Sequence, residues 1–150
     1  MTGATTDRAT PAEVAAAMWA EDNASRGLGM RLEEAGEGRA VLSMAVTETM
    51  VNGHGICHGG FIFTLADSAF AFACNWTDER TVAAQCAITY VRPARLGMRL
   101  IAEAVEVLRQ GRSGVTDVTV RDETGAVIAL FRGHSRTIGG RITRNEGETS

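Results

Sequence analysis

Between Gly59 and Asn75 the chain reads GGFIFTLADSAFAFACN. Drawn as a helix, this stretch carries apolar or small side chains on every side. A helix with no water-compatible face belongs inside the protein. Alanines at 66, 69, 71 and 73 would let other backbone come close to it. The rest of the chain therefore has to enclose this helix.

The flanking sequence supplies strands to do so. Residues 29–35 predict a short strand, and 39–47 (RAVLSMAVT) a second one. Leu42, Met44 and Val46 would share one face of it. After the helix, residues 81–91, 99–109, 115–121 and 127–138 predict four more strands. Arg92-Pro93 ends the first of these, and GRSG and DETG make the later turns. Near the start, Thr10 can cap a helix with Pro11 at its first position and Glu13 in a capping box. That helix should stop near Gly27. The order is helix, two strands, buried helix, four strands. Its natural packing is α+β, a curved antiparallel sheet wrapped around the central helix. The edges and outer face of such a sheet invite a second copy.

With 150 residues, 45% of them hydrophobic, the chain suits one domain over 1–150. The polar ends, 1–9 and 140–150, are expected to be flexible tails. A net charge of -3 and no dense basic run argue against a nucleic-acid partner. All 15 basic residues are arginine, which removes Schiff-base chemistry and Walker-type phosphate loops. No apolar run approaches the roughly 18 residues that span a bilayer, so no membrane partner is expected. The opening MTGATTDRAT is too polar for a secretion signal. Three cysteines without a C-x-x-C fit a reducing compartment, and the cytoplasm is the expected address.

Asp67 is the anomaly in the buried helix. Its neighbours three and four residues away are Phe63, Thr64, Phe70 and Ala71, none a cation. A buried carboxylate without a partner is costly or has a raised pKa. Either it is solvated or paired with an arginine from elsewhere (Arg80, Arg92 or Arg95), or it is a reacting group. The burial of the helix favours the second reading. His58-Gly59-Gly60 opens the same helix. Free amides there either polarise a bound carbonyl or simply make a tight turn. Asp67 lies about 12 Å along the axis from Gly59, at roughly 1.5 Å per residue. Both cannot touch one carbon within one chain, but two copies related by a twofold axis could combine them. Asn52 either donates its amide to an oxygen or holds the loop turn. A zinc cluster of His54, Cys57 and His58 is disfavoured by the glycines between them, and no metal is expected. Cys57 as a nucleophile is a weak reading, because His58 beside it in sequence diverges in direction.

The pattern N-x-x-G-x-x-H-G-G-x-x-x-x-L-A-D, from Asn52 to Asp67, resembles the hotdog-fold acyl-CoA thioesterases. NGHGICHGG, LADSAFAFACN, YVRPA and ALFRGHSRTIGG are similar to the phenylacetate-pathway (PaaI-type) branch. The resemblance spans roughly residues 10–140. It implies a thioesterase that hydrolyses aryl-acetyl-CoA, such as phenylacetyl-CoA or ring-hydroxylated relatives, to free acid and CoA. It implies no cofactor and a dimer, often paired into a homotetramer, with sites between subunits. Carried over, Gly59 would polarise the thioester carbonyl through its N–H, and Asn52 would assist at that oxygen. Asp67 of the other subunit would act as general base or nucleophile, and His58 would orient the loop. Gly60, Phe61, Arg92 and Arg132 would contact substrate. The serine or threonine that related enzymes often carry on the next strand is missing here, where Ala83-Ala84-Gln85-Cys86 stands. The rival readings are a hotdog enoyl-CoA hydratase or dehydratase and a non-enzymatic acyl-CoA-binding module.

Overall fold

A computed structural model describes residues 8–143. Thr10 caps α1 (Pro11–Glu21) by accepting the Glu13 amide at 3.2 Å. The helix does not run on to Gly27 as expected. It breaks at Asp22, whose side chain caps a second short helix, α2 (Asn23–Gly27), through the Ser25 amide at 3.0 Å. An aspartate competes well for a cap and poorly for a helix interior, so the break falls there.

Six strands follow the expected order, with small shifts at their ends. They are β1 (Arg31–Gly36), β2 (Arg39–Ala45), β3 (Glu79–Tyr90), β4 (Arg99–Gln110), β5 (Ser113–Arg121) and β6 (Val127–Arg141). They form one antiparallel sheet in the order β1-β2-β4-β5-β6-β3. The long helix α3 (Gly59–Cys74) crosses between β2 and β3 in sequence and packs mainly on β2, β4 and β5. β6 continues past the expected end at Ile138, where Arg141 and Thr143 bond to the buried Asp78 carboxylate. Of the expected tails at 1–9 and 140–150, residues 1–7 and 144–150 lie outside the described residues, while 140–143 are held by the end of β6 and by Asp78. No helix among the described residues is long and apolar enough to cross a membrane.

The sheet curls because its inner face is built to hold α3. Leu42 and Met44 of β2, Leu100, Ala102 and Ala104 of β4, and Val118 and Val120 of β5 are all buried against it. Gly133 of β6 sets how closely the helix approaches. A Cβ there would come within 2.5 Å of the Phe70 ring. Phe131 then packs on both Phe63 and Phe70, with ring centroids 5.3 and 5.9 Å away.

The C-terminus of α3 is pinned by two side chains. Asn75 donates to the Ala71 and Thr81 carbonyls and accepts the Thr81 amide, tying the helix to the start of β3. Arg109 of β4 donates to the Cys74 carbonyl at 2.7 Å and forks onto Glu106 at 2.9 Å. A cation at this end also suits the helix dipole. Arg109→Ala would strip the cation from a Glu106 side chain only 7% exposed, leaving the Trp76 indole as its donor at 3.3 Å. A loss of about 2 kcal/mol is expected, below the fully buried limit because Arg109 keeps some water. Chemical denaturation would measure it. Thr116 presents the opposite case. Its buried hydroxyl has no hydrogen-bond partner among the described residues. Thr116→Val keeps the shape and removes the orphan group, so stability should rise by up to about 1 kcal/mol.

Burial of α3 on every side is not what the structure shows. Ile62, Leu65, Ala66, Ala69, Phe70, Phe72 and Ala73 are buried, but Phe63, Thr64, Asp67 and Ala71 are half-open and Gly60 is exposed. These residues recur every three or four positions, so they form one stripe along the helix. The sheet and the α1–α2 segment cover the rest and stop short of this stripe. Beside it, β3 is the edge strand, largely exposed, with Val82 at 45% and Tyr90 at 49%.

Candidate active site

The loop before α3 is shaped by one asparagine. The Asn52 Oδ1 accepts the amides of His54 at 2.9 Å and Ile56 at 3.1 Å. The Asn52 backbone N–H donates to the Ile56 carbonyl and its carbonyl accepts from Gly55. Gly55 takes φ +74, a left-handed conformation that glycine adopts at little cost. Of the two roles left open for Asn52, its oxygen performs the turn. Its Nδ2 donates to no partner among the described residues, and the side chain faces solvent.

His58 is the N-cap position of α3, and its imidazole makes no capping bond. Its backbone N–H instead donates to the Met50 carbonyl at 2.8 Å, which fixes where the helix begins. The amides of Gly59 and Gly60 have no acceptor among the described residues. They are the first-turn donors that a helix cannot satisfy internally. Tyr90, at the end of β3, holds this start in place by donating its hydroxyl to the Gly59 carbonyl at 2.8 Å. A Cβ on Gly59 would meet the Tyr90 ring at 2.6 Å, so this contact requires glycine. Nothing local in the sequence announces the pairing, since 31 residues separate the partners.

A cleft of about 400 Å³ opens at this helix start, lined in part by Gly59, Ile62, Tyr90, Arg92 and Pro93. Arg92 donates to the Val127 carbonyl at 2.9 Å and leaves the rest of its guanidinium at the rim. Gly60 is exposed beside the cleft, and Phe61 is half-buried against the core. Arg132 does not join them. It lies on the outer face of the sheet, opposite α3, and forks onto Asp117 at 2.6 and 2.8 Å. Alternation along β6 imposes this, because the flanking Phe131 and Gly133 point inward. Within one chain, Arg132 is a cross-strand ion pair rather than a cleft residue.

Asp67 sits on the half-open stripe of α3, and no arginine pairs with it. Among the described residues no ion pair or hydrogen bond engages its carboxylate. Burial, reinforced by the negative charge of Asp22, pushes its pKa above the ordinary value. The Cys86 thiol of β3 is raised by burial and by the Asp67 charge, which places Cys86 toward the carboxylate. Gln85, by contrast, lines a groove on the outer face with His134 and Arg136. The thiols are poor nucleophiles: Cys57 is buried and raised, and Cys74 is pushed up to about 12. No group of three metal-ligating side chains converges among the described residues.

Two chemically useful features thus stand on one helix. One is a pair of free amides able to stabilise charge on a carbonyl oxygen. The other is a carboxylate with raised basicity and open lone pairs. They are about 12 Å apart along the axis, at roughly 1.5 Å per residue. Asp67 is not part of the cleft beside Gly59.

Comparison with known proteins gives a consistent picture. The Thioesterase superfamily model matches residues 54–129. The chain is 45% identical over 128 residues to the acyl-coenzyme A thioesterase PaaI of Escherichia coli (strain K12), covering 85% of this chain and 91% of that protein. It is similar to the solved structure of the E. coli PaaI protein from the phenylacetic acid degradation operon. That match has a TM-score of 0.86 and 40% identity, over 87% of this chain and 95% of the other. A Streptococcus mutans UA159 protein solved bound to acetyl CoA matches with a TM-score of 0.72 and 26% identity, over 75% and 90% of the two chains.

Proposed function

We propose, from the premise that this chain belongs to the thioesterase superfamily and has the hotdog fold, an account of how its residues act. The chain is an acyl-CoA thioesterase. The observation that carries its chemistry is the half-buried Asp67, with no partner among the described residues, on a helix that starts in free glycine amides.

The single domain takes an aryl-acetyl-CoA, with the thioester carbonyl at the Gly59 amide. The Asn52 Nδ2, free of loop contacts, lies in the same loop and assists at that oxygen. His58 places the helix start through its backbone. As the carbonyl carbon is attacked, negative charge grows on its oxygen and the helix amides stabilise it. Asp67 takes the proton from an attacking water, or attacks directly to give an anhydride that water then opens. In either case the C–S bond breaks, the sulfur leaves as the CoA thiolate, and the acid is released. Gly60, Phe61 and Arg92 line the approach. Arg92 is placed to meet the anionic end of CoA. The relative bound to acetyl CoA supports a CoA ligand for this fold.

The site forms between subunits. β3 is a long, exposed edge strand rich in alanine, with no proline before Pro93. Edges of this kind pair with another chain unless they are guarded. Pairing β3 with β3 of a second copy would cover the open stripe of α3 and bring a second Gly59 toward Asp67. Exposed Val105, Leu108 and Leu130 on the outer face support the further pairing of dimers into a tetramer. Three unpaired thiols and a CoA substrate suit the cytoplasm.

The test is release of CoA thiol from phenylacetyl-CoA, a ring-hydroxylated phenylacetyl-CoA and an aliphatic acyl-CoA. Preference for the aryl substrates supports the acyl assignment. Preference for the aliphatic one overturns it while leaving thioester hydrolysis in place. No release from any of them overturns the hydrolytic reading.

A further inference from the structure

The junction between α1 and α2 meets α3 beside Asp67. Both oxygens of Asp22 are used there. Its Oδ1 accepts the Ser25 amide at 3.0 Å, and its Oδ2 accepts the Ser25 hydroxyl at 2.7 Å. The Ser25 Oγ, 1% exposed as a residue, also lies 2.8 Å from the Oγ of Ser68, the residue that follows Asp67. A serine hydroxyl has one proton to give. Ser25 directs its proton to the carboxylate, so Ser68 must be the donor to Ser25. The chain runs one way, from Ser68 through Ser25 to an ionised end, and that end strengthens each bond.

Capping α2 needs only the first Asp22 oxygen. The second oxygen, acting through Ser25, is what reaches 43 residues along the chain to α3. We propose that Asp22, Ser25 and Ser68 form a positioning relay for the hydrolytic site. The relay fixes the rotation of the α3 turn that bears Asp67 and holds a second negative charge beside it. The proposal rests on Asp67 being the reacting carboxylate. The Ser68 oxygen, with its own proton directed away, presents lone pairs on the same turn of helix.

The ionisable groups felt by or feeling Asp67 come from three elements: Asp22 from the α1–α2 junction, Cys86 from β3 and Cys74 from α3 itself. Of these, Asp22 supplies the negative charge that opposes ionisation of Asp67. Removing it lowers the pKa of Asp67, which then stays ionised to lower pH.

The experiment is the pH profile of kcat and KM for thioester hydrolysis in wild type, Asp22→Asn, Ser25→Ala, Ser68→Ala, Ser68→Thr and Asp67→Asn. Asparagine caps helices as well as aspartate, so Asp22→Asn should keep α2 while losing the charge. Its acid limb is expected at lower pH than in wild type. Ser25→Ala and Ser68→Ala keep the charge and lose the link. They should lower kcat about 10-fold with KM nearly unchanged, as a small misplacement of a reacting group does. Ser68→Thr restores the hydroxyl and should recover most of the loss. An unmoved acid limb in Asp22→Asn overturns the charge role. Full kcat in both alanine variants overturns the link, and a lowered melting temperature alone would mean a purely structural bond. If Asp67→Asn retains wild-type activity, the underlying site assignment fails, and that result is separate from the other five profiles.

Discussion

Asp67→Asn is expected to lower kcat for thioester hydrolysis by about 10³-fold, the middle of the range for losing a positioned base. That corresponds to about 4 kcal/mol of transition-state stabilisation. Asparagine keeps the size and shape of the side chain but replaces an acceptor-only carboxylate with a neutral amide. It can neither accept the proton of water nor attack the carbonyl. The residual rate would come from the glycine amides alone. A second readout separates chemistry from folding. Burial and Asp22 raise the folded pKa of Asp67 above its unfolded value. A group shifted upward contributes its full stability below the unfolded pKa and loses it as pH rises through the folded one. At neutral pH the wild type therefore carries a half-buried charge that the asparagine variant lacks. The variant should melt at the same temperature as wild type or higher, with the gap closing in acid. A markedly lower melting temperature at neutral pH would show that Asp67 holds the fold.

Activity should return when two dead variants are combined. Gly59→Ala keeps the amide but brings a Cβ to 2.6 Å from the Tyr90 ring, so the helix start and its amides must shift. A loss of about 10²-fold is expected, the scale for removing one oxyanion donor. If Asp67 of one subunit serves Gly59 of the other, each mixed dimer has one doubly mutated site and one intact site. Random mixing makes half of the dimers mixed, so about one quarter of wild-type activity should reappear. Refolding the two variants together and assaying thiol release measures it. Activity no higher than the mean of the two variants refolded alone would show that Gly59 and Asp67 do not share a site between subunits, and the β3 pairing would lose its catalytic purpose.

Much of this arrangement was legible before any coordinates. The 3.6-residue spread of apolar side chains over 59–74 marked a helix packed on the sheet, though not its open stripe, and the strands alternate cleanly enough to fix their inner faces. What escaped was set by partners distant in sequence. The break at Asp22 is a local cap on Ser25, and only the further link from Ser25 to Ser68 spans the sequence. The open stripe on α3 was hidden because small residues such as Ala71 read as buried whether or not anything covers them. Arg132 is different, since the signal was present. Phe131 and Gly133 must face the helix, so the arginine between them has to point outward, where Asp117 waits across the strand pair. Tyr90 carried no local sign of its role, because the hydrogen bond to Gly59 joins an edge strand to a helix start.

That same phenol offers a spectroscopic handle. Tyr90 is the one tyrosine in the chain. Fluorotyrosine incorporated during growth would therefore give a single fluorine resonance per subunit, located at the helix start without any engineered label. Its chemical shift would respond to an acyl-CoA entering the cleft and to the strand edge finding a partner. Both events could be titrated on the native sequence, one against substrate and the other against protein concentration.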